Sequence, residues 1–251
     1  MKQRLLFTAF AILVILSIWH VLSFSGIINK LFLPSPVNVF DKLVNLFATG
    51  EVYPDIVATL YRTNVGFLIG SIIGILVGLV MGYYKRVYDS LEFIVDFFRS
   101  IPATALFPLF LLFFGIGDET KIAVVVFASS MIVIVNTMYG VRHRSEVRIR
   151  FAKTLNLEKI SLFKKVILPD AMPHIFAGLR IAISISLILA VVTEMFIGTS
   201  VGLGRRIIDA ELVYRIPEMY ATIIVAGIIG YLLNWLILFV EKRKIHWSGK
   251  Y

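Results

Sequence analysis

Residues 141–175 read VRHRSEVRIRFAKTLNLEKISLFKKVILPDAMPHI, and this basic, polar stretch lies between two long apolar runs. A segment with so many charges is too costly to place in hydrocarbon, so it must lie in water between two membrane spans. The rest of the chain is therefore expected to be organised around this loop. Composition alone is equally consistent with a solvated basic loop that has no specific partner.

The interior of the loop has helical periodicity, because apolar residues recur at three- and four-residue spacing between 147 and 155. We expect Asn156 to end this helix in a left-handed conformation, which asparagine tolerates well. Ser161 is positioned to cap a second short helix. Pro169 and Pro173 are expected to limit that second helix, since proline lacks the backbone N–H.

The composition of the whole chain is typical of a membrane protein. It has 251 residues, of which 59% are hydrophobic and 16% charged, and its mean hydropathy is +0.88. We predict one all-α membrane domain over residues 1–251, with a first span at 5–24 and five core spans at 60–83, 93–116, 121–140, 175–197 and 219–240. A short interfacial helix at 36–48, begun by Ser35 and Pro36, is predicted on the outer side.

The basic residues predict the orientation of the chain. About two thirds of its 25 lysines and arginines fall in segments that six spans place on one side, including both termini and the loop at 141–174. Both termini are therefore predicted to be cytoplasmic. The net charge of +9 is explained by this bias, so we expect no nucleic-acid partner.

Glycines recur every fourth residue in the second span. Such a stripe allows the backbone of another helix to approach closely, although glycine is also simply frequent in membrane helices. Five glycines in register favour a packing role. They are Gly66, Gly70, Gly74, Gly78 and Gly82.

A few polar side chains in or near the spans are candidates for a pathway or a gate. They are Glu194, Arg180, Ser184, Asn136 and Arg62. Glu194 is an acid well inside a span, which is functional by default because burying its charge is costly. It either lines the pathway or forms a structural ion pair. Arg180 lies far from it along the same helix, so we expect its partner on another element.

Other chemistries are poorly supported by the sequence. There is no cysteine, and the histidines lack ligand spacing, so no metal site is expected. Residues 198–202 fit the pattern G-x-S-x-G, but an apolar span precedes them where a serine hydrolase needs a strand. No G-x-x-x-x-G-K-[ST] motif occurs, so the chain itself is not expected to bind ATP or to be an enzyme.

The loop resembles the "EAA" loop of ABC-importer permeases. Ala152 and the sequence Leu168-Pro169 followed by Pro173 fit the family pattern, whereas Arg150, Phe151 and Asn156 depart from it. Further resemblance to the nitrate, sulfonate, taurine and bicarbonate group lies in 97–122, Asn136-Thr137, Gly178-Leu179-Arg180, Glu194 and Gly202-Leu203-Gly204. The resemblance covers about residues 33–247.

This resemblance implies a type I ABC importer permease in the inner membrane of a prokaryote. It implies a second copy of the permease, two cytoplasmic ATPase subunits that bind ATP and Mg²⁺, and an extracytoplasmic substrate-binding protein. The loop would form the coupling helix that docks on an ATPase. The residues that the resemblance assigns to this contact are Ala152, Leu155, Asn156, Leu157, Glu158, Lys159, Leu168, Pro169 and Pro173.

A stand-alone secondary transporter or channel is the alternative function. Broken spans and an intramembrane carboxylate suit such a protein. No clear inverted repeat is visible in the sequence, however, and the basic loop would then lack a purpose. Co-purification of an ATPase subunit distinguishes the two.

Overall fold

The computed structural model describes residues 2–29, 31–143 and 145–245, and within this part of the chain the regular structure is helical without a strand. The all-α prediction is confirmed. The α-helices are α1 (Lys2–Phe24), α2 (Pro36–Ala48), α3 (Tyr53–Tyr83), α4 (Lys85–Ser100), α5 (Phe107–Phe114), α6 (Asp118–Arg142), α7 (Glu146–Thr154), α8 (Lys159–Leu162), α9 (Leu168–Phe196), α10 (Leu203–Leu212) and α11 (Ile216–Lys244).

Six spans are present if one bent pair of helices counts as a single span. Five helical segments are long and apolar enough to cross a membrane by themselves: Leu6–Phe24, α3, α6, Lys159–Phe196 and α11. The sixth combines α4 with the segment Ala103–Phe114, and its two parts meet at 87°. The bend lies at Ile101 and Pro102, whose backbones are extended, because proline excludes its predecessor from the helical conformation.

The glycine stripe of α3 packs against α6. A Cβ atom built on Gly74 would lie 2.6 Å from the Cβ of Val133 and 2.9 Å from the carbonyl oxygen of Ser130. The other four glycines of the stripe face α6 in the same way, at positions that also recur every fourth residue. The two helices therefore approach at backbone distance along most of their length, as small residues allow in membranes.

Helix α2 begins with two local signals. The hydroxyl of Ser35 accepts a hydrogen bond from the backbone N–H of Asn38 at 3.2 Å, and Pro36 occupies the first helical turn. Its buried side chains Val39 and Leu46 join a core cluster that includes residues of α11. This packing fixes α2 against the last span.

The prediction that Pro169 and Pro173 limit the second loop helix is wrong. Residues Lys159–Phe196 form one helical span of 38 residues that contains both prolines. A π-helical turn at Phe163–Ile167 precedes Pro169, and the backbone N–H of Leu168 bonds to the carbonyl of Phe163. The wider turn relieves the clash that a proline ring makes with the preceding turn. Ser161 lies inside α8, whose N-cap is Glu158.

The close contact of α3 with α6 predicts what happens when a glycine of the stripe is replaced by a larger residue. Replacing Gly74 by leucine forces a side chain into Val133, and overpacking of this kind costs about 1–3 kcal/mol. We expect the melting temperature in mild detergent, followed by size-exclusion chromatography after heating, to fall by several degrees.

Gly227→Leu is the matched control, because a Cβ at Gly227 in α11 meets nothing within 4 Å. The control should melt like the parent protein. Equal melting of Gly74→Leu and Gly227→Leu would contradict the close packing of α3 on α6.

Candidate functional site

Glu194, near the end of α9, is buried and fully hydrogen-bonded. Its carboxylate accepts from the hydroxyl of Thr59 at 2.9 Å, from Nη1 of Arg62 at 2.7 Å and from the backbone N–H of Gly204 at 3.0 Å. Only 1% of the residue is exposed. A carboxylate this deep keeps its charge only if donors satisfy it on several sides. The expected partner on another element is thus Arg62 of α3.

Arg62 joins four segments of the chain. Besides Glu194, its guanidinium donates to Oδ1 of Asp118 at 2.8 Å, to the carbonyl of Val201 at 2.9 Å and to the hydroxyl of Thr199 at 3.1 Å. Arg62 is 2% exposed, so it does not extend to the membrane surface. It holds α3, α6, α9 and the turn that follows α9 in one arrangement.

The backbone N–H groups at the start of α10, which have no partner within the helix, donate to this cluster. Gly202 donates to Oδ1 of Asp55 at 2.8 Å, Leu203 to the hydroxyl of Thr59 at 2.9 Å, and Gly204 to Glu194. The first N–H groups of a helix have no partner within it and favour negative charge. The two carboxylates and the hydroxyl satisfy this requirement inside the protein.

Glycine is required where α10 begins. Gly202 has a φ of +141°, and a Cβ there would lie 2.6 Å from Cδ of Glu194. A Cβ on Gly204 would lie 2.8 Å from the Cβ of Glu194 and would also meet the carbonyl of Val191. The G-x-S-x-G pattern thus ends at Gly202, whose missing side chain lets the carboxylate of Glu194 approach the backbone amides of α10. The segment is not the strand-to-helix turn that carries the nucleophilic serine of a hydrolase.

A second layer of ion pairs surrounds this cluster. Arg206 on α10 donates to Oδ2 of Asp55 at 2.6 Å and to Oε1 of Glu218 at 2.8 Å. Lys42 on α2 pairs with the other oxygen of Glu218 at 3.2 Å. Burial alone would lower the pKa of Arg206, but its bonds to Asp55 and Glu218 outweigh this and raise its pKa above the ordinary value. Its charge is therefore matched within the protein rather than free to attract an anion.

At the opposite end of the long helix, α7 is anchored to α9. Arg148 pairs with Oδ1 of Asp170, whose other oxygen accepts from the backbone N–H of Ser145 at 3.3 Å. Ala152 is 3% exposed, so one face of α7 is closed. Asn156 has a φ of +53°, the left-handed conformation that its sequence context predicts.

The other face of α7 is apolar and uncovered. Val147 and Phe151 lie on it four residues apart, and Leu155 continues this spacing directly after the end of α7. The three residues are 77%, 66% and 59% exposed. A groove of about 690 Å³ runs between this face and the start of α9. Its lining includes Leu157 and Pro169. An exposed apolar face on a helix that is not part of a candidate span is typical of a protein-binding surface.

Of the remaining candidates, one pairs with another helix and two bond within their own helix. Arg180 pairs with Glu241 of α11 at 3.3 Å. Ser184 donates to the carbonyl of Arg180, and Asn136 donates to its own helix at Ile132 instead of to a neighbour. A Cβ on Gly178 would lie 2.6 Å from the Cβ of Asn136, so these two helices touch there. Within the single chain, each of these three polar groups has a partner in the protein.

Sequence reasoning missed Asp55, Thr59, Asp118 and the backbone amides of α10. One signal was available, because Asp55, Thr59 and Arg62 recur at i, i+4 and i+7 on one face of α3. In the part of the chain that the structure describes, no cluster of histidine and acidic residues could hold a metal ion.

The cluster predicts that removing one member is worse than removing two. Glu194→Ala leaves Arg62 buried beside a single, half-exposed carboxylate, and breaking a buried pair costs about 3–5 kcal/mol. We expect a large loss of thermal stability in detergent. The double variant Arg62→Leu, Glu194→Ala should recover part of it. Glu211→Ala, at an exposed acid of α10, is the control and should stay within about 0.5 kcal/mol. If Glu194→Ala melts like this control, the cluster is not structural.

Comparison with known proteins agrees with this architecture. Residues 70–245 match the family described as binding-protein-dependent transport system inner membrane component. The putative aliphatic sulfonates transport permease protein SsuC of Bacillus subtilis (strain 168) is 30% identical over 238 residues, covering 95% of this chain and 86% of the relative. The nitrate import permease protein NrtB of Leptolyngbya laminosa is 33% identical, covering 97% of this chain and 88% of the relative.

A solved structure has the same fold. It is a chain of the inward-facing MetNI methionine ABC transporter, with a TM-score of 0.68 over 76% of this chain and 95% of that one. The sequences are 19% identical, so this likeness concerns the fold, which is that of type I ABC importer permeases. With its multiple apolar helices, the protein is a multi-pass inner-membrane component. The chain belongs to the binding-protein-dependent transport system inner membrane component family, the transmembrane permeases of ABC importers.

Proposed function

We propose that two copies of this chain form the pathway of an ATP-driven importer for a small anionic solute of the nitrate, sulfonate, taurine or bicarbonate class. Two cytoplasmic ATPase subunits would bind ATP and Mg²⁺, and an extracytoplasmic binding protein would deliver the solute. The names of the sulfonate and nitrate relatives support the class of cargo. The excess of basic residues on one side supports cytoplasmic termini.

The observation that carries the proposal is the uncovered apolar face of α7. Val147 and Phe151 are exposed on a helix that lies outside the spans, and Leu155 is exposed directly after it. Exposing apolar side chains to water in a loop is unfavourable unless a partner protein covers them. An ATPase cleft that accepts a short amphipathic helix would bury these side chains.

The anchoring of α7 supports a role in transmitting motion. The Arg148–Asp170 pair attaches α7 to a helix that continues without interruption to Glu194. Asp170 and Glu194 are 24 positions apart, which corresponds to about 36 Å at the α-helical rise of about 1.5 Å per residue. A displacement of α7 would thus be carried by one rigid element to the cluster at the other end.

Alternating access would follow from movement of this rigid unit. Glu194 and Arg62 tie α9 to α3, and the glycine stripe ties α3 to α6. When ATP binding closes the ATPases, the two α7 helices would move with them, and each α3–α6–α9 unit would rotate as one body. Rigid-body rotation of packed elements is a common switching mode.

Leu155→Asp tests the docking surface. The substitution puts a charge on the apolar face, and loss of a buried apolar contact typically weakens an interface at least about tenfold. A tagged chain purified from its native host in mild detergent should retain a P-loop ATPase, as identified by mass spectrometry. The variant should retain at least about tenfold less.

Ser25→Asp is the control, because it adds the same charge at an exposed turn after α1, which the proposal places on the opposite side of the membrane. It should retain the ATPase as the parent does. Purification of the parent as a homo-oligomer with no ATPase would reject the importer and favour a secondary transporter.

A further inference from the structure

A second groove lies at the inner end of α3, away from the α7 face. Its volume is about 530 Å³. Its lining residues are Leu79, Val80, Tyr83, Tyr84, Lys159, Ile160 and Phe163. The rings of Tyr83 and Phe163 meet edge-on, with centroids 5.5 Å apart, and connect α3 to the π-helical turn. Tyr84 and Ile160 are mostly exposed.

The groove continues an apolar stripe along α3. Ile72, Leu76 and Val80 recur every fourth residue and are 58%, 60% and 46% exposed. They lie away from the glycines that face α6. Because α3 is long and apolar enough to span the bilayer, this exposed stripe is available to acyl chains. An acyl chain that follows the stripe towards the cytoplasm reaches Val80, which lines the groove.

The mouth of the groove carries positive charge. Lys159 lines it, and among the described residues no carboxylate lies within ion-pair distance of its ammonium group. Lys85 and Arg86 directly follow Tyr84 in the sequence and are exposed. Tyrosine hydroxyls supply further donors at the depth of lipid headgroups. Basic pockets beside spans on the cytoplasmic side are typical sites for anionic headgroups.

We propose that this groove binds one anionic phospholipid of the inner leaflet. The phosphate of the headgroup lies at Lys159, which this proposal removes from the ATPase contact that the family resemblance implies for it, and an acyl chain lies along Val80 and Leu76. The bound lipid fills the space between α3 and the start of the Lys159–Phe196 span. It thereby supports the junction from which α7 projects. The site depends on the cytoplasmic placement of the loop but not on the identity of the cargo.

Native mass spectrometry of the purified permease, without an ATPase, tests this site. The chain is titrated with phosphatidylglycerol and, separately, with phosphatidylcholine. The parent should bind phosphatidylglycerol more tightly. Lys159→Gln should weaken that binding about fivefold, the usual effect of one basic residue near an anionic lipid. Lys164→Gln is the control, since Lys164 is exposed on the same segment and does not line the groove.

A second variant addresses the acyl chain. Val80→Trp fills the groove and should weaken the binding of both lipids, with the protein remaining in its parent oligomeric state. Equal loss in Lys159→Gln and Lys164→Gln would overturn the proposal in favour of general basic attraction. Unchanged lipid binding in Val80→Trp together with a changed oligomeric mass would overturn it in favour of a second copy in the groove. Neither result tests whether the permease binds an ATPase, because no ATPase is present in the measurement.

Discussion

The structure depends on how the carboxylate of Glu194 is accommodated inside an apolar bundle. Isolated burial of such a group is prohibitively costly, so donors must come from several directions. They come from Thr59 and Arg62 on α3 and from the amide of Gly204 on α10. The bonds of this one carboxylate thus hold α3, α9 and the start of α10 together. Gly202 and Gly204 are the residues that make the approach possible.

This arrangement extends to both sides of the membrane. The α3–α6 glycine contact adds α6 to α3 and α9. The Lys159–Phe196 segment then connects these three helices to the loop that contains α7. Two prolines lie inside that segment, and a π-helical turn accommodates them without breaking it. The result is a rigid body with a satisfied polar cluster at one end and an uncovered apolar face at the other. A rigid body of this kind is consistent with the proposed permease subunit, which responds to a cytoplasmic partner.

The sequence predicted what local physics determines. The apolar runs predicted the spans, the serine–proline pair predicted the start of α2, and asparagine predicted the left-handed end near α7. It did not predict the pairing of Arg62 with Glu194, because these residues are 132 positions apart and periodicity does not say which helices are neighbours. It also placed a helix end at Pro169, since the π-helical turn that relieves the proline depends on its tertiary setting.

The central claim is that α7 is cytoplasmic and is covered by an ATPase. The chain has no cysteine, so Leu155→Cys introduces a single thiol at the end of the exposed face. A membrane-impermeant maleimide should label it in inverted vesicles but not in right-side-out vesicles. Co-expression of the co-purifying ATPase should protect it. Labelling from the outside, or labelling that is equal with and without the ATPase, would contradict the account.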